Sequence, residues 1–127
     1  MISSVNILVP VEYDLYASVV DFYRTTVRLS THSTGVSVQG NPWHSFLIRG
    51  ISMTIHTGRD REFPYPEFRP TGHGIALAIE VQSVDQEVKR LELLGVTPRN
   101  RLNYADGMKA VSIIDPAGNV LEIWGYS

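Results

Sequence analysis

The sequence predicts an α+β protein built as two tandem units, each a strand, a helix and three further strands. Three observations carry this. Short β-branched apolar runs occur at residues 5–11 and again at 75–81. Each is followed by a stretch of helical periodicity, and each of those by three short apolar runs broken by turn residues.

Residues 5–11 read Val-Asn-Ile-Leu-Val-Pro-Val and give way to the polar Glu12 and Asp14, a first strand. Over 15–29, Val19, Phe22, Tyr23, Thr26 and Val27 recur at helical spacing, with Asp14 placed to cap the first turn. Residues 30–35 read as a connection. Strands then follow at 36–39, 44–49 and 51–57, separated by Gly40-Asn41-Pro42 and by Gly50. Residues 59–72 hold Pro64, Pro66 and Pro70 among the aromatics Phe63, Tyr65 and Phe68. Proline breaks helices and removes sheet donors, so this stretch is a linker.

The pattern then restarts. Over 75–81 large apolar residues stand at Ile75, Leu77, Ile79 and Val81, with small or polar ones between, which marks a strand with two unlike faces. Ser83 or Asp85 can cap a helix whose stripe is Val84, Val88, Leu91 and Leu94 and which Gly95 ends. Strands at 96–101, 109–114 and 120–124 complete the unit. Asp115-Pro116-Ala117-Gly118-Asn119 joins the last two, with proline where a turn wants fixed φ and glycine where it wants positive φ. Aligning the halves on their last hairpins sets Gly50 on Gly118, Thr54 on Glu122 and His56 on Trp124, an offset of 68 that becomes about 70 where Val11 meets Val81. The expected organisation is one domain over 1–127, with units at 1–58 and 73–127 joined by the linker at 59–72.

Composition limits the function classes. A hydrophobic fraction of 43% with 19% charged residues belongs to a folded globular chain. The net charge of -2 and the absence of a basic stripe argue against nucleic acid. Without cysteine there can be no disulfide, thiol nucleophile or thiolate metal site. No run approaches the roughly 18 apolar residues of a membrane span and no leader pattern opens the chain, so a cytoplasmic protein with no membrane partner is expected.

The run Ala78-Ile79-Glu80-Val81, the helix opening at Ser83-Val84-Asp85 and ending at Leu94-Gly95-Val96, and the hairpin Asp115-Pro116-Ala117-Gly118-Asn119-Val120-Leu121-Glu122-Ile123 together resemble the glyoxalase, bleomycin-resistance and extradiol-dioxygenase proteins, the vicinal oxygen chelate superfamily. Asp14 followed by Asp21-Phe22-Tyr23 is similar to that family's first helix, which commonly ends in Leu-Gly; here the end reads Arg28-Leu29-Ser30. The resemblance spans nearly the whole chain. It implies curled mixed sheets around a cleft, helices on the outside, and a homodimer.

The resemblance also implies where a metal would sit in metal-dependent members: one ligand early on the first strand of each unit and one near the middle of its last. By strand parity these positions are Asn6, Thr54, Ala76 and Glu122, with Leu8, His56, Ala78 and Trp124 on the same faces. Only Glu122 is a good ligand, so no metal cofactor is expected. The alternative is a divalent metal held by His56 and Glu122 with a further histidine. His73 points the other way by parity, His44 opens a strand and His32 lies in a loop.

Glu122 is the first candidate site residue, as a general base if the protein is an enzyme, as an anchor for a cationic group, or as a carboxylate hydrogen-bonded to His56 or Asn6. Trp124 is either core or a stacking wall. His56 is a structural or a titrating histidine. Trp43 and Tyr104 are rim candidates, whereas Phe63, Tyr65 and Phe68 suit packing over a sheet end or a partner subunit. The expected function is metal-free binding of a small organic molecule, aromatic or cationic, similar to the bleomycin-resistance branch. The alternative is a metal-dependent lyase, isomerase or dioxygenase, or a metal-free isomerase using Glu122.

Overall fold

The computed structural model describes residue 2 and residues 4–37, 40–57 and 76–127. The expected linker with its aromatics, His73 and Ile75 lie outside the described residues. The chain divides into two compact units, Met1–Gly72 and His73–Ser127.

In the first unit, β1 (Val5–Pro10) leads through a 3₁₀ turn (Tyr13–Leu15) into α1 (Tyr16–Asp21) and a π-helical turn (Phe22–Thr26), followed by β2 (Ser30–Val36), β3 (Pro42–Ile48) and β4 (Ile51–His56). The sheet order is β1-β4-β3-β2, with β1 parallel to β4 and the other pairs antiparallel. Both strand prolines sit where a missing donor is tolerated, Pro10 on an edge strand and Pro42 at a strand's first residue. One sheet face packs Val9, Phe46, Met53 and Ile55 against the helix residues Val19 and Tyr23, all of them at most 2% exposed. The Tyr23 ring centroid lies 6.3 Å from that of Phe46. Each such side chain contributes roughly 1.5–3 kcal/mol on leaving water.

Three sequence expectations change here. The helix over 15–29 is a composite, because its turns tighten at the start and widen at Phe22–Thr26, where the Val27 amide reaches the Phe22 carbonyl at 2.9 Å. Asp14 does not cap it; it lies inside the 3₁₀ turn, whose N-cap is Glu12. Of the strand expected at 36–39, residues 38 and 39 lie outside the described residues; the connection at 30–35 is itself the second strand, which ends at Val36. Its residues, Ser-Thr-His-Ser-Thr-Gly-Val, carry no apolar alternation because β2 is an edge strand that buries neither face fully.

The second unit runs β5 (Ala76–Glu80), α2 (Val84–Leu93), β6 (Arg99–Asn103), β7 (Lys109–Ile114) and β8 (Val120–Gly125). Its sheet order, β5-β8-β7-β6, repeats that of the first. Ser83 is the cap, its Oγ accepting the Gln86 amide at 3.2 Å. At the other end Val96 donates to the Leu91 carbonyl and Gly95, at φ 80°, to that of Glu92, which is the Schellman arrangement. Val84, Val88 and Leu91 are buried against Val111, Ile113, Leu121 and Ile123, whereas Leu94 is 50% exposed and drops out of the expected stripe as the C-cap residue. The strand expected at 96–101 starts only after Pro98, at Arg99, and continues to Asn103. No described helix is long and apolar enough to cross a membrane.

The internal repeat holds down to single hydrogen bonds. Leu8 pairs with Thr54 as Ala78 pairs with Glu122. The Val11 amide donates to the His56 carbonyl at 2.9 Å, and the Val81 amide to that of Trp124 at 2.9 Å. In each unit the register also breaks in the corresponding edge strand, between Thr31 and Ser33 in β2 and between Arg99 and Leu102 in β6.

Candidate functional site on the helix-free sheet faces

Strand parity divides each sheet into a face that packs on the unit's own helix and one that does not. In the first unit the helix-free face carries Asn6 and Leu8 from β1, Ser52, Thr54 and His56 from β4, and Trp43 and Ser45 from β3. Ser45, Thr54 and His56 are buried, at 7%, 8% and 4% exposure, although polar. Buried polar groups are costly unless hydrogen-bonded, and here most of the bonds are on the face itself. Asn6 Oδ1 accepts from Ser52 Oγ at 2.9 Å and from Thr54 Oγ1 at 3.0 Å, and Ser45 Oγ lies 2.6 Å from Thr54 Oγ1. Thr54 has one proton and spends it on Asn6, so Ser45 donates to Thr54.

Trp43 and Ser45 are what the sequence reading placed too lightly or missed. Trp43 was a rim candidate; it lies within β3, opposite His56 and Gly35. A Cβ built on Gly35 would come within 2.5 Å of the Trp43 ring, so the indole lies flat on a glycine backbone. The signal was the strand start: β3 begins at Pro42, not His44, and parity then sets Trp43, Ser45, Thr54 and His56 on one face.

In the second unit the helix-free face carries Ala78 and Glu80 from β5, Glu122 and Trp124 from β8, and Ser112 from β7. Glu122 sits between Ala78 and Ser112, is exposed, and makes no hydrogen bond or ion pair among the described residues. Ser112 instead accepts from Asn100 Nδ2 at 3.1 Å, at the bulge where Asn100 adopts φ 53°. Trp124 is half-buried and meets Tyr126 edge-on at 6.3 Å. Tyr104 is 48% exposed in the turn between β6 and β7.

The turn that sets the β8 register is built by Asp115, which is 3% exposed. Its Oδ1 accepts the amides of Ala117 at 2.8 Å and Asn119 at 2.9 Å, and Oδ2 accepts from Asn119 Nδ2 at 3.0 Å.

These residues do not fit a metal held in the way the resemblance implies. The Asn6 oxygen has both acceptor positions filled by hydroxyl protons, Thr54 gives its proton to that same oxygen, and alanine at 76 has no donor atom. Among the described residues, no group of three or more His, Cys, Asp and Glu side chains could hold a metal ion. His44 faces the helix side of its sheet, bonded to Thr31 Oγ1 at 2.8 Å, and burial, with Arg24 nearby, holds its pKa below the ordinary imidazole value. A separate hollow of about 150 Å³ lies beside α2, floored by Val84, Val88 and Val111 and edged by the Lys109–Asp85 ion pair at 2.7 Å.

No family model matches the chain, and no curated protein matches it. Solved structures do. TnmS3, an antibiotic-binding protein from Streptomyces sp. CB03234, superposes with a TM-score of 0.72 at 23% identity, over 100% of this chain and 98% of that one. A glyoxalase/bleomycin resistance protein from the same organism gives 0.66 at 24% identity, over 95% and 98%. The fosfomycin resistance protein FosX from Listeria monocytogenes gives 0.66 at 16% identity, over 100% and 93%. With the repeated sheet order and the Asp115–Glu122 hairpin, these similarities establish that the chain has the glyoxalase/bleomycin-resistance fold of the vicinal oxygen chelate proteins.

Proposed function

We propose that the protein binds a small organic molecule on the helix-free faces of its sheets and releases it unchanged, without a metal. One observation carries the reading: the helix-free face of the first sheet holds a hydrogen-bonded set of Asn6, Ser45, Ser52 and Thr54 beside His56 and the flat-lying Trp43. A few placed polar groups next to an aromatic plane are what a small-molecule site needs. The donor chemistry supports a metal-independent mode, since three of the four positions that would bind a metal, all but Glu122, hold groups bonded to each other or lacking a donor atom. The antibiotic-binding and bleomycin-resistance proteins of the same fold favour an aromatic or cationic antibiotic-sized ligand, and Glu122 and Trp124 suit its charge and its ring.

Trp43 and Trp124 make the test direct, because both sit on the proposed binding faces. Titration with metal-free bleomycin and a panel of aromatic antibiotics is expected to quench tryptophan emission saturably for at least one compound. The affinity should be the same in excess chelator, and mass spectrometry should recover the compound intact. Conversion of the compound, or binding that chelator removes and a divalent ion restores, would contradict the proposal.

A further inference from the structure

The hydrogen-bond chain on the first sheet fixes which end of the Asn6 amide points outward. Ser45 donates to Thr54, Thr54 donates to Asn6 Oδ1, and Ser52 donates to the same oxygen, so all three hydroxyl protons are used. In the opposite orientation the amide nitrogen would donate to Ser52 and Thr54. Thr54 would then donate to Ser45, and the proton of Ser45, at 7% exposure, would lose its acceptor on this face. The orientation that satisfies the buried hydroxyls therefore leaves the Asn6 nitrogen, with its N–H donors, unbonded among the described residues and on an exposed side chain. A position that the fold suggests for a metal donor atom presents hydrogen-bond donors instead.

We infer that Asn6 is a specificity residue that selects a ligand carrying a hydrogen-bond acceptor, a carbonyl or phenolate oxygen, at the first sheet. The inference rests on the binding reading above and deepens it. A group that offers only donors, such as an ammonium, would meet the amide N–H groups without a partner, and an apolar group would leave them dry; both are disfavoured.

Asn6→Asp separates this from a structural role. Its carboxylate still accepts from Ser52 and Thr54, so the internal chain and the fold are kept, while the outward atom changes from donor to acceptor. The probes are 2-acetylnaphthalene and 2-isopropylnaphthalene, which share a shape and differ in one carbonyl oxygen. Wild type is expected to bind the ketone about tenfold or more tightly than the hydrocarbon. In Asn6→Asp the preference should vanish, with the hydrocarbon bound as before and the urea transition unchanged. The Asn6 side-chain NH₂ signals of the wild type should shift with the ketone alone. Equal binding of the two probes by wild type, or a preference that Asn6→Asp leaves intact, overturns the role of Asn6 alone. Failure of both probes and of the whole antibiotic panel to bind wild type overturns the binding reading, and the role of Asn6 with it.

Discussion

Trp43 lies flat because residue 35 has no side chain. The nearest indole atoms would be 2.5 Å and 2.7 Å from any Cβ placed there, far inside contact distance, and they belong to a ring whose neighbour across the ladder is His56. Gly35 is thus the counterpart of the aromatic plane, and Gly35→Val must turn the ring away. We expect that variant to shift the Trp43 emission and to weaken ligand binding by tenfold or more, on the order of 1.4 kcal/mol, with far-ultraviolet circular dichroism unchanged. Unaltered emission and affinity would show that the plane is not fixed by this contact. Residue identity alone could not reveal this pairing, because it needs the β2–β3 register, and β2 is the strand whose polar composition hides it. The residues around Glu122 were more legible: the second unit alternates strongly, so parity placed Ala78, Glu122 and Trp124 on one face. What parity could not supply was environment, and Glu122 is exposed.

At the scale of elements, the two units end their helices at equivalent places with different chemistry. Gly95 takes φ 80° after α2, and Arg28 takes φ 69° after the π-helical turn. A Cβ in the left-handed region costs roughly 1–2 kcal/mol, part of which is returned by the lower freedom of a non-glycine residue in the unfolded chain. Arg28→Gly should therefore stabilise the protein by up to about 1 kcal/mol, and Gly95→Ala should destabilise it by about as much, both read as shifts of the urea midpoint. A loss of stability in Arg28→Gly would mean that the arginine side chain, not the backbone, is what this position needs. The sequence departs here from the Leu-Gly ending of the proteins it resembles, yet Arg28 takes the same left-handed backbone as Gly95 in the second unit. Helices and turns were legible where a specific group did a specific job, as at Ser83, Gly95 and the Asp115 turn. They were misread where nothing local marked the boundary: the helix over 15–29 blends three hydrogen-bond spacings, and the edge strand at Ser30–Val36 has no apolar face.

Across the whole molecule, one unit plan has been used twice and its faces have diverged. Sheet order, hairpin register and even the amide bonds at Val11 and Val81 match, because a fold specified by pairing and core packing tolerates change on the face that does neither. On that face the first unit has buried hydroxyls joined to an amide, and the second has an exposed carboxylate beside tryptophan. The repeat made the architecture legible from sequence; the chemistry was legible only at Glu122, since the polar chain on the first sheet depends on side-chain hydrogen bonds no spacing rule encodes. The central claim is that these helix-free faces, and not the helix-packed ones, take the ligand. Amide and indole chemical-shift mapping with any compound that quenches the tryptophans tests it most directly. The account predicts shifts concentrated at Asn6, Trp43, Thr54 and His56 in the first unit and at Glu122 and Trp124 in the second, with Phe46, Met53 and Leu91 unmoved. Shifts concentrated instead on α1, α2 or the hollow beside Val88 would contradict it.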